Sequence, residues 1–581
     1  MILQALVQHY EDLAARGEIA QPGWGPVKVS YALCLSAEGE IEQVISLKTE
    51  QQKGKKAIVR PQEMQVPAQV KRSSGVRANF LCDNSSYILG SSGKGKPERD
   101  FNCFQACGAL HYELLKDVKH AAAAALLLFF ENWEPEKAKT CSVLQANSDD
   151  IFGGANFVFR HGGMYLHEIP EIRDAWQRHY DGVGTGAQKV CLVTGKMAPA
   201  AQLHPLIKGI RGAQTSGASL VSYNAPSFCS YDKEQGMNAP TSEYAAFAYG
   251  AALNHLIADS RHVHYIGDTA LLCWAKGGQL EYQDIFGDLL CEDETYSEQD
   301  YQVMAKDIAA GRPFVFQENT VDPNCPFYVL GIAPNAARLS VRFFLQSTFG
   351  EMLQNILEHQ ERLNIVRPSF DNHETISLWR LLNETVNQRA KDKSASPLLA
   401  GELLRAILSN SYYPALLLQG ITLRIRAERE VTRGRAAIIK AYYLKNKHPD
   451  VTEEVLTVSL NPNSTNVPYN LGRLFSVLED IQSKASPGIN TTVRDRYFNS
   501  ASATPAQVFP VLINLAQKHM KKLSTGQRIH YEKQMEEIME KLDTAFPSRM
   551  TLPQQGAFQL GYYHQTQARY AGKKTEGTEN E

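Results

Sequence analysis

The apolar stripe Val467, Leu471, Leu474, Phe475, Leu478, Ile481 constrains this chain more than any other feature. Its spacing of i, i+4, i+7, i+8, i+11, i+14 is the signature of one face of an α-helix and excludes a strand. Arg473, Glu479 and Gln482 fall between the apolar positions and are expected on a solvated face. Thr504-Pro505-Ala506-Gln507 reads as a capping box with proline at the first helical position, opening a helix to about Leu523. Helices over 527–543 and 554–570 follow, joined by turns such as Ser524-Thr525-Gly526 and Pro547-Ser548. Four amphipathic helices with short connections predict a helical bundle over 461–571. The polar tail at 572–581 is expected to be disordered.

Before about residue 348 the pattern differs. A helix over 1–15 precedes strands at 27–35 and 41–47, which flank the Glu38-Gly39-Glu40 turn. A single helix is predicted from Phe104 to Trp133. Residues 156–275 alternate short strands (157–160, 164–168, 189–194, 219–224, 262–266, 269–274) with helices near 170–180 and 242–258. Strands at 327–332 and 338–346 close this region. The fold class is therefore α+β: a mixed strand/helix N-terminal region over 1–350, a helical connecting region over 351–460, and the C-terminal bundle.

The 581 residues carry a net charge of −2, so any nucleic-acid footprint must be local rather than global. Ten cysteines are scattered in apolar contexts and imply reduced thiols. Met1-Ile2-Leu3-Gln4-Ala5-Leu6 lacks a basic leader, and the apolar run 121–130 is too short to span a bilayer. A cytoplasmic address with no membrane contact is the expectation. Charge is nonetheless partitioned. Residues 48–77 hold eight basic residues against Glu50 and Glu63, a net +6 in 30 residues. Residues 424–447 repeat this, with eight basic residues against Glu428 and Glu430 and with Tyr442 and Tyr443 interleaved. Residues 281–300 hold eight acidic residues and no basic ones, read as a solvated loop or face.

No catalytic constellation assembles. Gly90 to Lys96 fits G-x-x-x-x-G-K after an apparent strand at 87–89. A phosphate-binding loop needs a hydroxyl after the lysine to ligate magnesium, and Pro97 has none. Cys103 and Cys107 read as core thiols one helical turn apart rather than half of a zinc site. His262 and His264 read as a polar strand face. No nucleophile elbow is present. No cofactor and no metal is implied, and the chain reads as a binder rather than an enzyme. The alternative is a nucleic-acid enzyme, either a nucleotide-dependent motor using Gly90–Lys96 or a nuclease.

The basic clusters then need a polyanion. Lys53, Lys55, Lys56, Lys71, Lys94 and Lys96 are candidate phosphate contacts, as are Arg424, Arg426, Arg433, Arg435 and Lys440 in the second cluster. The Gly- and amide-rich stretch His204–Pro240 buries little of itself, which suits a surface whose complement is another molecule. Its Lys208, Gln214, Asn224, Gln235, Gly236 and Asn238, with Arg72, Ser74, Gly75, Arg77, Asn79 and Asn84, are candidates for duplex contact and base-edge reading.

Four ordered stretches carry a family resemblance: 74–84 (SGVRANFLCDN), the 204–240 segment, 330–342 (LGIAPNAARLSVR) and 469–475 (YNLGRLF). On these the chain resembles the large subunit of the subtype I-C CRISPR Cascade complex, the Csd-one family. The resemblance implies a non-catalytic subunit of a bacterial antiviral RNA-guided complex. Such a subunit would recognise the protospacer-adjacent motif (PAM) on double-stranded DNA, promote duplex opening and R-loop formation, and recruit a helicase-nuclease. Its implied partners are target DNA, guide RNA, the other Cascade subunits and that helicase-nuclease, with the bundle resembling a Cascade small subunit.

Overall fold

A computed structural model describes residues 1–53, 56–70, 72, 75–93, 96–182, 187–291, 303–304, 306–308, 310–316, 319–391, 395–542 and 545–576. The fold is α+β. It divides into two compact units, Met1–Pro205 with Val221–Leu253, and Leu206–Leu220 with Asn254–Glu581.

In the first unit, a five-stranded sheet is organised about Tyr31–Leu35, a run of aromatic and aliphatic residues that suits a buried strand. It pairs antiparallel with Ile41–Ser46 and parallel with Asn156–His161. The latter pairs antiparallel with Cys82–Asn84. The helices Pro97–Leu115, Ala121–Asn132 and Pro170–Gly182 contribute Leu115, Leu126, Phe129, Ile172 and Trp176 to one core with Leu33, Phe157 and Phe159. The single helix expected over 104–133 is two, because the His120 ring accepts the Ala122 N–H (3.1 Å) and starts a second helix after the break at 116–120. The alanines of that second helix admit a tight turn. At Gly39 (φ +82°) a Cβ would stand 2.4 Å from the Phe129 nitrogen.

The second unit is built on a six-stranded sheet in the order 206–207, 218–219, 338–348, 326–335, 269–275, 263–266. Thr269–Ala275 is buried along its whole length, as befits a strand with no solvated face. The strand Arg338–Thr348 runs straight into the helix Phe349–Leu363, where the Thr348 hydroxyl accepts the Glu351 N–H as N-cap. The acidic stretch is helical over Glu281–Cys291 and buries Tyr282, Ile285, Phe286 and Leu289; 292–300 lie outside the described residues. One hydrophobic core continues from Ile266 to Tyr563.

At the C-terminus the described residues form five helices, Val467–Ala485, Val493–Ala503, Pro505–Met520, Thr525–Met539 and Leu552–Glu576, where four were expected. The additional helix, Val493–Ala503, opens on a capping box, Thr492 with Asp495, and the Thr525–Met539 helix opens on another, Ser524 with Gln527. The box expected at Thr504 does not form, since its side chain makes no cap bond. Leu471, Leu474, Phe475, Leu478 and Ile481 are buried as the periodicity requires. So are Arg473, Glu479 and Gln482, because this helix is central and covered on every side. Their polar groups are answered locally: Glu479 accepts the Tyr562 hydroxyl (2.7 Å), and Gln482 accepts the Val493 N–H (2.6 Å). No described helix is long and apolar enough to cross a membrane.

Candidate nucleic-acid interface

In the first unit, Trp24–Val29 pairs with Gln62–Pro67, and between them the chain extends as a hairpin of Thr49–Lys53 and Lys56–Arg60. Lys53 and Lys56 are the last paired residues of that hairpin. Lys55 lies outside the described residues, as do Lys71, Ser74 and Lys94.

The segment after this hairpin is a loop clamped at its base by one buried carboxylate. Asp83 accepts both terminal nitrogens of Arg72, one at 2.9 Å, together with the backbone N–H of Asn79 (2.9 Å) and of Asn84 (2.8 Å). The Arg72 guanidinium also lies 3.9 Å over the Tyr87 ring, and its Nε donates to the Arg77 carbonyl at 2.6 Å. Asn79 is buried, with its amide accepting from Val70 N–H (2.8 Å) and donating to Gln69 (2.6 Å). Leu81 is held at φ +57°, an unusual conformation for a branched residue, and its N–H donates to His111 Nε2 (3.0 Å). Burial lowers His111 to about 4, so the ring stays a neutral acceptor. What the clamp presents outward is Gly75, Val76 and Arg77, all exposed, with Gly75 at φ +81° in open space.

Thus Arg72 and Asn79, expected at the DNA, are consumed in holding the loop. Asn84 is half-exposed and caps the helical turn Ser85–Ile88, accepting the Ser86 N–H at 3.1 Å. That turn occupies the place where a strand was expected before Gly90. Lys96 is exposed at the start of Pro97–Leu115, and Ser92 donates to Asp100 at 2.6 Å. The helix Pro97–Leu115 begins directly after Lys96, with Pro97 where a nucleotide-binding loop carries its hydroxyl.

The 204–240 stretch is divided between the units. In the second, Leu206–Leu220 lies along its sheet edge: Tyr265 donates to the Gly209 carbonyl (3.1 Å), and the Arg211 guanidinium lies 4.1 Å from the Tyr265 ring centre. Lys208 and Gln214 lie on the same segment, Lys208 exposed. In the first unit, Asn224 is exposed. Asn238 instead ties a turn together, donating to the carbonyls of Lys233 (2.9 Å) and Gln235 (3.0 Å) and accepting the Ser230 N–H (3.0 Å). Gln235 is half-buried at φ +47°. Gly236 is a packing glycine, since a Cβ would stand 2.1 Å from the Ala201 carbonyl oxygen.

The second basic cluster is the clearest departure from expectation. Arg433, Arg435 and Lys440 lie on the buried helix Arg433–Asn446 rather than on a phosphate-facing surface. Arg433 donates to Asp371 (2.9 Å) and to the carbonyls of His373 and Glu374 (both 2.7 Å). Arg435 pairs with Glu384 (3.2 Å) and Glu428. Lys440 donates to the Arg362 carbonyl at 3.1 Å. Arg424 and Arg426, on Ala415–Glu428, face Glu428 (3.6 Å) and Gln555 (3.0 Å). Glu428 is the one local partner; Asp371 and Glu384 are remote in sequence, so the burial is not legible there.

Burial lowers Lys440 from 10.5 to about 8. The folded state therefore binds fewer protons than the unfolded chain between pH 8 and 10.5, and stability rises with pH across that window. Lys440→Met should remove up to about 1.4 kcal/mol per pH unit of that rise. Denaturation of both proteins at pH 7.5, 8.5 and 9.5 checks it, and identical pH slopes would refute it.

Cys103 and Cys107 are core thiols, and the described cysteines form no disulfide. His262 is not a polar surface but buried, in contact with the Cys273 carbonyl at 3.0 Å. Among the described residues no group of three or more His, Cys, Asp or Glu side chains is disposed to hold a metal ion. Residues 6–570 match the family model described as CRISPR-associated protein (Cas_Csd1). No curated protein gives a significant match.

Proposed function

The chain belongs to the CRISPR-associated Cas_Csd1 family, and from that premise we propose that it is the non-catalytic, cytoplasmic large subunit that reads the PAM on duplex DNA. In this reading it promotes R-loop formation by the guide RNA and recruits the helicase-nuclease. The observation that carries the duplex contact is the clamped loop. Arg72, Asp83 and His111 fix its base, and Gly75 and Arg77 are exposed beyond it. A glycine with open space around it admits close approach of backbone to a groove, and arginine is the best guanine reader. Lys53 and Lys56 then supply phosphate affinity, and Lys208 and Gln214 in the second unit and Asn224 in the first are further candidate contacts, each within its own unit.

The test is a competition titration of PAM-bearing against PAM-scrambled duplexes with the assembled complex. Arg77→Ala should lose about 1–3 kcal/mol of discrimination. Lys53→Ala with Lys56→Ala should weaken both duplexes alike and shallow the salt slope by about 0.9 for each phosphate no longer neutralised. Unchanged discrimination in Arg77→Ala removes the loop from PAM reading. Magnesium-dependent ATP turnover by the purified chain, abolished by Lys96→Ala, would replace this reading with that of a nucleotide-driven motor.

A further inference from the structure

The first unit holds a small, stiff hairpin that takes no part in the clamped loop or the basic clusters. Gln188–Val190 pairs antiparallel with Met197–Pro199, placing Val190 directly opposite Met197, so their side chains share one face. Val190 is 53% exposed, Met197 65%, and Leu192, two residues on, 66%. Isolated exposed aliphatics are ordinary, but three large ones at one hairpin end are not.

This end is also rigid. The Cys191 sulfur accepts the backbone N–H groups of Thr194 (3.5 Å) and Ser242 (3.2 Å). Cys191 N–H donates to Lys196 O (2.9 Å), Gly195 N–H to Cys191 O (2.8 Å), and Leu192 N–H to Pro240 O (2.9 Å). Gly195 takes φ +69° to close the turn. Gln4 ties the base down by donating to the Val193 carbonyl at 3.1 Å. An apolar surface already ordered in the free protein loses little entropy when covered, which is what a binding hot spot requires.

The hairpin's own charge points to the occupant. Between Ala187 and Leu203 the charged residues are Lys189 and Lys196, both exposed, and no carboxylate is present. A nucleic acid would meet the lysines, yet the centre offers aliphatic rather than aromatic side chains and so no stacking platform. We infer that this hairpin end docks a protein subunit of the same complex through a facing surface that is apolar at its centre and carboxylate-bearing at its rim. The inference rests on the family assignment and not on PAM reading by the Gly75–Arg77 loop.

The experiment measures capture of the full-length chain by the purified, guide-RNA-bound remainder of the complex. Leu192→Glu with Met197→Glu should lower capture about tenfold or more, since both sites are exposed and the thermal unfolding of the chain should stay as in wild type. Lys189→Glu with Lys196→Glu should lower it several-fold, more at low salt than at high. Duplex binding by the free chain should be unchanged in the apolar variant. Wild-type capture by both variants overturns the inference. So does a parallel fall in free-chain DNA affinity, which marks a nucleic-acid surface, and so does a dimer of the free chain that the apolar variant dissolves, which marks a second copy. Normal capture with abolished PAM discrimination would also overturn it, because the hairpin end would then act on duplex reading.

Discussion

Gly561→Val should destabilise the second unit by at least about 3 kcal/mol, and Gly472→Val should do the same. These glycines form the crossing of Val467–Ala485 with Leu552–Glu576. A Cβ on Gly472 would stand 1.9 Å from the Phe558 carbonyl oxygen, and one on Gly561 would stand 2.0 Å from that of Tyr469. The neighbour in each case is backbone of the opposing helix and cannot rotate away. The helices would have to part, forfeiting the packing of Phe475 against Phe558 and Tyr562 and exposing the Glu479–Tyr562 hydrogen bond. Gly401 is the control. It lies inside Pro397–Leu408 with nothing within 4 Å of its would-be Cβ, so Gly401→Ala should stabilise by about 0.5–1 kcal/mol through helix propensity. Urea unfolding of the full chain reads all three. A Gly561→Val protein as stable as wild type would mean that the helices do not cross there.

Arg433→Ala should cost about 1.5–3 kcal/mol, because it removes charge-assisted hydrogen bonds from a buried carboxylate and from two carbonyls. The Asp371 side chain is 8% exposed and keeps Arg380 (3.2 Å) as its ion-pair partner once Arg433 is gone. Arg433→Lys should rescue little of this, since a single ammonium cannot span the acceptors that the planar fork reaches. The salt dependence of DNA binding by the protein that remains folded should match wild type, as an interior cation releases no counterions. Normal stability with a shallower salt slope would return Arg433 to the surface and to phosphate.

The two variants mark where sequence reading stops. Helical stripes and strand alternation are local, so Leu471 to Ile481 and the strands near 27–35, 263–275 and 326–348 are legible with small errors in their bounds. Capping is legible in kind but not in place. Ser524 reads as part of a turn and forms a box with Gln527, whereas Thr504 reads as a box and makes no cap bond. The candidate interface is legible as a region more than as residues. Gly75, Arg77, Lys208 and Asn224 lie at surfaces, whereas Asn79, Gly236 and Asn238 hold their own loops in shape. An amide that recognises a base and an amide that ties a turn are the same residue in a sequence.

Patterns of period two and 3.6, a near-neutral total charge with local cationic runs, and four ordered family stretches determined by themselves that this chain is α+β, helical at its C-terminus, and CRISPR-associated. Those are properties of neighbours along the chain. Tertiary structure decided which cations face water, because Asp371, which retains Arg433, and Glu384, which with the nearby Glu428 retains Arg435, lie 62 and 51 residues away. It alone made Gly472 and Gly561 a crossing, since they are 89 residues apart and each matters only through the other helix's backbone. Burial is a relation between distant segments, and a charge or a glycine takes its meaning from the segment that covers it.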